Sequence, residues 1–385
     1  MGKCFQCVLY RREFYVINQK PRSGDFSVSM EPLFADHYKN SLPFLKQAVD
    51  SVLPVHSSDL WLSKIVGKPR FEWNHEVITD VILKPMHSYI HRTGKLFRPY
   101  LVNLCLEAYN VDKEFHKEII GLSEIIHSAS LMADDITDNS EMRRGQMTAH
   151  CEFGLPIAGL SCASMFNLGN YLLTREESNL PPGVVSRLLR ELVWEHFVTG
   201  LGTGIDLSWS EFQVMNIPLE AYFDHLLYRS CSYTYRMPLK IGALIAQAPE
   251  QDYNILVEFG EMTGQAFQLI DDILNLTPLH ADWGKKVGED ITAGKRTLLV
   301  LHTLKLADNR ERAKLVEILD SKTDSEEDID SAIQLMNKYD AFNYAFLKAG
   351  EFIDRLLPRL DDLSMPMQYK SILKSFAQYV IHRQI

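Results

Sequence analysis

The sequence predicts an all-α protein: a single-domain helical bundle around a polar-lined central cavity. Three observations carry that expectation. Apolar residues recur at helical spacing over long stretches, alternating β patterns are scarce, and two of the amphipathic segments bear paired aspartates midway along them.

Composition agrees. With 46% hydrophobic residues among 385, the chain can bury a large core, and its 20 glycines and 16 prolines are too few for a disordered or fibrous protein. The formal charge of -10 excludes a nucleic-acid-coating surface, which needs clustered Lys and Arg, so any anion must be held by local clusters. Of the six cysteines (Cys4, Cys7, Cys105, Cys151, Cys162 and Cys231), only the first two form a C-x-x-C, with no second half for a tetrahedral zinc site. Their scatter fits a reducing, cytoplasmic setting. The basic first 24 residues, with Glu13 as their one acid, leave organellar targeting open. "MGKCFQ" has the Gly2 of a myristoylation signal but Gln6 where Ser or Thr is wanted. No apolar run reaches the roughly 18 residues of a membrane-spanning helix.

In chain order, residues 1–40 read as a poorly ordered N-terminal extension, because "KPRSGDFSVSM" mixes turn formers with polar residues and has no sustained period. The domain then occupies 41–385. "LSEIIHSASLMADDITD" places Leu122, Ile125, Ile126, Ala129, Met132 and Ile136 on one helical stripe and His127, Ser130, Asp134 and Asp138 on another. "RLLRELVWEHFVTGLGTG" and "AYFDHLLYRSCSYTYRMPLKIGALIAQ" continue the helical reading. "ILVEFGEMTGQAFQLIDDILNL" repeats the acidic design, with Gln268, Asp271, Asp272 and Asn275 opposite an apolar side. "KRTLLVLHTLKLA" and "YKSILKSFAQYVIHRQ" follow, and turns such as "NLPPG" punctuate the series.

On a helix, residues i and i+4 stand one above the other, so Asp134 and Asp138 point the same way, with Asp135 alongside. Such carboxylates repel unless a cation lies between them. Oxygen ligands without His or Cys suit Mg²⁺, which keeps waters and takes one or two carboxylates plus phosphate oxygens. A solvated acidic face is the bland alternative for one cluster; the second, "DDILN", favours metal, because both are flanked by apolar residues and not by alternating lysines. Lys95, Arg98, Arg143, Arg144, Arg229, Lys285, Lys286, Lys295 and Arg296 lack local acid partners and together suggest a diphosphate clamp. There is no G-x-x-x-x-G-K-[ST] loop, which excludes nucleoside triphosphate machinery of that type.

The motifs "GKLFRP", "EIIHSASLMADDITDNSEMRRG" with "TAH..FG", and "FGEMTGQAFQLIDDILNL" with "GKKVGEDITAGKRTLLVLHTL" stand in the order of the trans-prenyl diphosphate synthases. Across about residues 85–305 the chain resembles that family, closest to geranylgeranyl and farnesyl diphosphate synthases. The resemblance implies the isoprenoid synthase fold, a homodimer, and a Mg²⁺-dependent condensation of isopentenyl diphosphate head to tail with an allylic diphosphate. It implies Mg²⁺ ligation by Asp134, Asp138 and Asp271 with Asp135 and Asp272 in support. It gives the allylic diphosphate to Arg143, Lys285 and Lys295, with Arg229, Ser230 and Gln268 also on the substrate. Gly94, Lys95, Arg98, His127 and Arg144 fall to isopentenyl diphosphate.

Four positions depart from the family pattern: Asn275 for the last acid of the second motif, Ala133 for a frequent histidine, Asn170 in "GNYLL" for a common Asp, and Arg229-Ser230 for Lys-Thr. Two rivals follow: a terpene synthase on the same scaffold, cyclising a prenyl diphosphate, and a silent subunit of a heteromeric synthase. Ala129 and Ser130, one turn before Asp134, are too small to floor the cavity. A product of C20 or longer is therefore expected, with Phe166 and Tyr171 as floor candidates.

Overall fold

The computed structural model describes residues 32–68, 70–92, 94–175, 180–277 and 287–382. The described chain is almost wholly helical. Its longer helices are α1 (Pro32–Asp50), α2 (Asp59–Val66), α3 (Lys84–Ile90), α4 (Phe97–Ala108), α5 (Lys117–Thr137), α6 (Leu155–Thr174), α7 (Pro182–Glu211), α8 (Leu219–Arg229), α9 (Met237–Ile245) and α10 (Glu250–Asn275). α11 (Leu298–Leu306), α12 (Asn309–Ser321), α13 (Glu326–Lys338), α14 (Ala341–Leu356) and α15 (Met367–His382) complete the bundle. No described helix is long and apolar enough to cross a membrane.

The two acidic helices, α5 and α10, are central. α5 packs on α1, α4 and α6; α10 packs on α9, α14 and a π-helical turn, Ser232–Arg236. Their apolar stripes supply fully buried Ile120, Leu122, Ile125, Ile126, Leu256, Phe259 and Leu269. A one-sided apolar stripe is what holds such helices in place, since isolated helices gain little from propensity alone.

The assignment of residues 1–40 to an extension is corrected at its end. α1 begins at Pro32, and Phe34 and Tyr38 lie in an aromatic cluster with Phe97, Tyr100, Phe376 and Tyr379. The Phe34 and Phe376 rings meet edge to face at 4.9 Å, and the Phe34 amide donates to Ser375 Oγ at 3.3 Å. The first described helix is thus pinned to the last, behind the 94–96 loop. Residues 1–31, with Cys4, Cys7 and the targeting features, lie outside the described residues.

After α5 the chain forms a hairpin too short to announce itself in the sequence. β1 (Met142–Arg143) pairs antiparallel with β2 (Gln146–Met147), in the register Met142 to Met147 and Arg143 to Gln146. Arg144 and Gly145 form the two-residue turn, both at positive φ (52° and 74°), the combination a type I′ turn requires.

Candidate active site

Within each aspartate pair the two neighbours have different surroundings, because adjacent residues on a helix point about 100° apart. Asp135 is fully buried: Arg143 Nε donates to its two oxygens at 2.8 and 2.6 Å, and Tyr89 Oη at 2.7 Å. Asp272 is likewise buried, accepting from Gln268 Nε2 at 2.8 Å and Tyr222 Oη at 3.2 Å. Asp134 and Asp271 remain half-buried and Asp138 is exposed. Each motif therefore offers its first aspartate outward, while a tyrosine braces the second.

Asp135 and Asp272 are thereby committed to protein donors, which leaves Asp134, Asp138 and Asp271 as the carboxylates open to a ligand. Arg143 is committed to Asp135. Burial opposes the Arg143 charge, but the Asp135 bonds outweigh it and hold the guanidinium above its ordinary pKa.

Arg229 faces the first motif, and Lys295 faces both. Arg229 pairs with Asp206 at 2.9 Å and Lys295 with Asp290 at 2.8 Å. Asp206 is the main cause that holds the Arg229 charge in place, with Asp134, Asp138 and Asp290 adding to it; Asp290 plays that part for Lys295. Burial pushes the Asp134 and Asp272 carboxyls up, and Lys295 pulls both back, so one ammonium lies within electrostatic reach of both helices. Lys285 lies outside the described residues, and Ser230 caps α8 through its backbone.

Carboxylates kept from full solvation, with Asp134 in no ion pair among the described residues, fit a divalent cation. Three carboxylates or imidazoles converging on one metal position do not occur among the described residues. Asp134, Asp138 and Asp271 fit Mg²⁺ nonetheless, since it takes one or two carboxylates and fills its remaining positions with water and phosphate oxygens.

A second cationic cluster lies about two turns back along the same face of α5. Arg98 donates from Nη2 to Thr234 Oγ1 at 2.8 Å, and burial brings its pKa down to about 10. Arg144 Nη1 reaches the Arg92 carbonyl at 3.3 Å, and Tyr38 donates to the Lys95 carbonyl. Gly94 borders both Arg144 and Glu124: a Cβ there would lie 3.1 Å from Arg144 Nη1, so a larger residue would press on the guanidinium. Burial, then Arg98, Arg144 and Arg143, push His127 well below its ordinary pKa, leaving a neutral imidazole whose Nδ1 is 3.4 Å from Ser130 Oγ. Gly94, Arg98, His127 and Arg144 thus fall together, while the exposed Lys95 sets its ammonium over the Phe97 ring at 5.9 Å.

Beneath Asp134, Ala129 is fully buried and Cys162 Sγ contacts its carbonyl at 3.4 Å. Phe166 packs on His196 and Tyr233, with centroids 5.0 and 6.0 Å apart, and Tyr233 donates to or accepts from His196 Nδ1 at 2.9 Å. Tyr171 is a correction: its hydroxyl donates outward to the Lys64 carbonyl on α2 at 3.0 Å. Asn275 is explained by its contacts. It is buried, and its Oδ1 accepts the Asp290 amide at 3.1 Å, tying α10 to the one-turn helix Glu289–Thr292 without adding charge beside Asp272. Asn170 leaves its Oδ1 buried without a hydrogen-bond partner, and Ala133 is half-buried on α5.

Sequence reading missed Asp206, Asp290, Glu124, Tyr89 and Tyr222. Only Glu124 carried a usable signal, as an acid one turn before His127 on the polar side of α5.

An all-α bundle with acidic helices and two cationic pockets defines a class of enzymes acting on diphosphate esters. The polyprenyl synthetase family profile matches residues 79–336, and the chain belongs to that family. It is a trans-prenyltransferase. It is 29% identical over 292 residues to a geranylgeranyl diphosphate synthase of Sulfolobus acidocaldarius, covering 76% of this chain and 87% of that protein. Over 246 residues it is 31% identical to a short chain isoprenyl diphosphate synthase of Methanocaldococcus jannaschii, covering 63% of this chain and 72% of the other. Among solved structures, the geranylgeranyl pyrophosphate synthetase of Pyrococcus horikoshii superposes with a TM-score of 0.76 at 26% identity, covering 92% and 99% of the two chains. A geranylgeranyl pyrophosphate synthase of Corynebacterium glutamicum, solved with isoprenyl diphosphate and magnesium, shares the fold at 22% identity and TM-score 0.75, covering 93% and 100%.

Proposed function

We propose that this prenyltransferase uses Mg²⁺ to condense isopentenyl diphosphate head to tail with an allylic prenyl diphosphate, and that its product is geranylgeranyl diphosphate (C20) or longer. One observation carries the reading. Arg98, His127 and Arg144 gather about two helical turns along α5 from Asp134, which supports a second diphosphate site; a cyclase on this scaffold would need only the acidic cleft.

Asp134, Asp138 and Asp271 would hold Mg²⁺, which when bound neutralises the allylic diphosphate and eases its departure. Arg229 and Lys295 face that same group with charges fixed by Asp206 and Asp290, so they meet the growing negative charge without reorganising. Asp135 holds Arg143 at the cleft edge. Arg98, Arg144 and neutral His127 orient the second diphosphate so that its double bond faces the allylic carbon. Ala129 and the apolar stripe of α5 keep water from the cationic carbon. The closing proton loss needs no side-chain base, and the released diphosphate accepts it.

The small side chain of Ala129, and the Phe166–His196–Tyr233 cluster further along, support a long product. An exposed apolar face on α7, with Val193, Trp194, Phe197 and Leu201, supports the homodimer, because patches of this kind mark association surfaces. A monomer in sedimentation would overturn that assignment. For the reaction, purified protein is incubated with Mg²⁺ and an allylic diphosphate, with and without isopentenyl diphosphate. Elongation requiring both is expected; hydrocarbon from the allylic substrate alone would mean a cyclase, and inactivity in both arms a silent subunit.

A further inference from the structure

Glu124 is a buried acid that the reaction as described does not use. It lies on α5 one turn before His127, 4% exposed, and its Oε2 has no hydrogen-bond partner. The charged and titratable groups facing it come from the elements around it: Arg98 of α4, Arg144 of the hairpin turn and Tyr38 of α1, with His127 one turn on along its own helix. Glu124 forms no ion pair with either guanidinium among the described residues. Arg98 Nε is also buried without a partner. Burial therefore leaves one nitrogen of Arg98 and one oxygen of Glu124 short of a hydrogen-bond partner, with the more exposed Arg144 beside them, which is costly unless something enters between them.

We propose that Glu124 is a positioning residue of this pocket: it balances Arg98 and Arg144 while the pocket is open, and takes up one proton from solvent as a diphosphate enters between them. The inference rests on reading this pocket as the isopentenyl diphosphate site. The physical reason is a competition of charges. In the open pocket the arginines favour the carboxylate and burial disfavours it; burial is the larger effect and holds the carboxyl above its ordinary range. An arriving diphosphate engages the arginines and places negative charge beside Glu124, so both remaining influences favour the neutral acid. The proton then lies on a carboxyl oxygen as a hydrogen-bond donor toward the anion. Gly94 leaves Glu124 Oε1 and Arg144 Nη1 room to make this adjustment, since a Cβ would lie 3.5 and 3.1 Å from them.

The test is calorimetric titration of the full chain with isopentenyl diphosphate alone, in Hepes and in Tris, whose different ionisation heats report protons taken up. Wild type is expected to take up about one more proton than Glu124→Gln, because protonation of the ligand itself is common to both. Above neutral pH, wild-type affinity should fall by up to about tenfold more per pH unit than that of the variant. Equal proton counts would overturn the proposal, as would weaker binding by the variant with an unchanged pH slope. A second measurement needs no variant: ligand binding to wild type should raise a protonated-carboxyl band in the infrared difference spectrum, and its absence counts against Glu124. If wild type elongates substrate yet shows neither signal, only the Glu124 assignment falls. If it neither binds isopentenyl diphosphate nor elongates, the proposed function falls with it.

Discussion

Replacing Asp135 with Asn should unfold the protein more readily than replacing its neighbour Asp134. Asp135 is fully buried and accepts two bonds from Arg143 and one from Tyr89. Asn keeps the volume and can still accept from Tyr89, but it strands the Arg143 guanidinium beside Arg92 and Arg144. Removing one partner of a buried pair costs about 3–5 kcal/mol; because the Arg143 side chain is 18% exposed, the lower end applies, about 3 kcal/mol. Asp134 forms no ion pair among the described residues, and burial holds its carboxyl above the ordinary range. Its ionised form opposes folding, so Asp134→Asn should leave stability unchanged or raised in metal-free buffer. Urea unfolding followed by circular dichroism measures both. Mg²⁺ with inorganic pyrophosphate then separates the roles: a ligand at 100 times its Kd adds about 2.7 kcal/mol. Asp134→Asn should lose most of that gain, whereas Asp135→Asn should keep it. Equal destabilisation by the two substitutions would refute the division between an outward and a braced aspartate.

Product length should respond to the space beneath Asp134. Ala129→Phe is expected to shorten the product and Phe166→Ala to lengthen it, as read by chromatography of the hydrolysed prenols; an unchanged distribution in both would remove these residues from the floor. Acid stability should depend on His225, which is 3% exposed and depressed to about 4, chiefly by burial. The unfolded chain takes up this proton near pH 6.5 while the folded chain does not, so stability is lost as pH falls from about 6.5 toward 4, by roughly 2 kcal/mol at pH 5. Urea midpoints at pH 7.5 and 5 should drop less in His225→Gln than in wild type; equal drops would show that this histidine does not govern the acid limb.

The sequence made α5 and α10 legible because a 3.6-residue stripe interrupted by charge survives any tertiary context. It could not say which member of each aspartate pair turns inward, since that depends on Tyr89 and Tyr222, some 46 and 50 residues away. The start of α1 was lost because "KPRSGDFSVSM" runs close to Pro32 and another proline, Pro43, lies inside the helix. Asp206 is a lone acid until folding sets Arg229 against it, and Asp290, beside Glu289, meets Lys295 only once the short helix and turn between them form. The hairpin escaped because each strand is only two residues long. Asn275 stood out only as a missing acid; its contact with the Asp290 amide is non-local and invisible to a motif.

The hairpin that carries Arg143 and Arg144 works as a counting device. One arginine ends a strand and leans on Asp135, the next opens the turn at positive φ and reaches the Arg92 carbonyl. Two neighbouring side chains thereby take two different stations, and their allocation depends on the number of residues since Asp135, more than on what those residues are. The loop should tolerate a changed letter far better than a changed length, since one inserted residue would rotate both arginines out of their stations together.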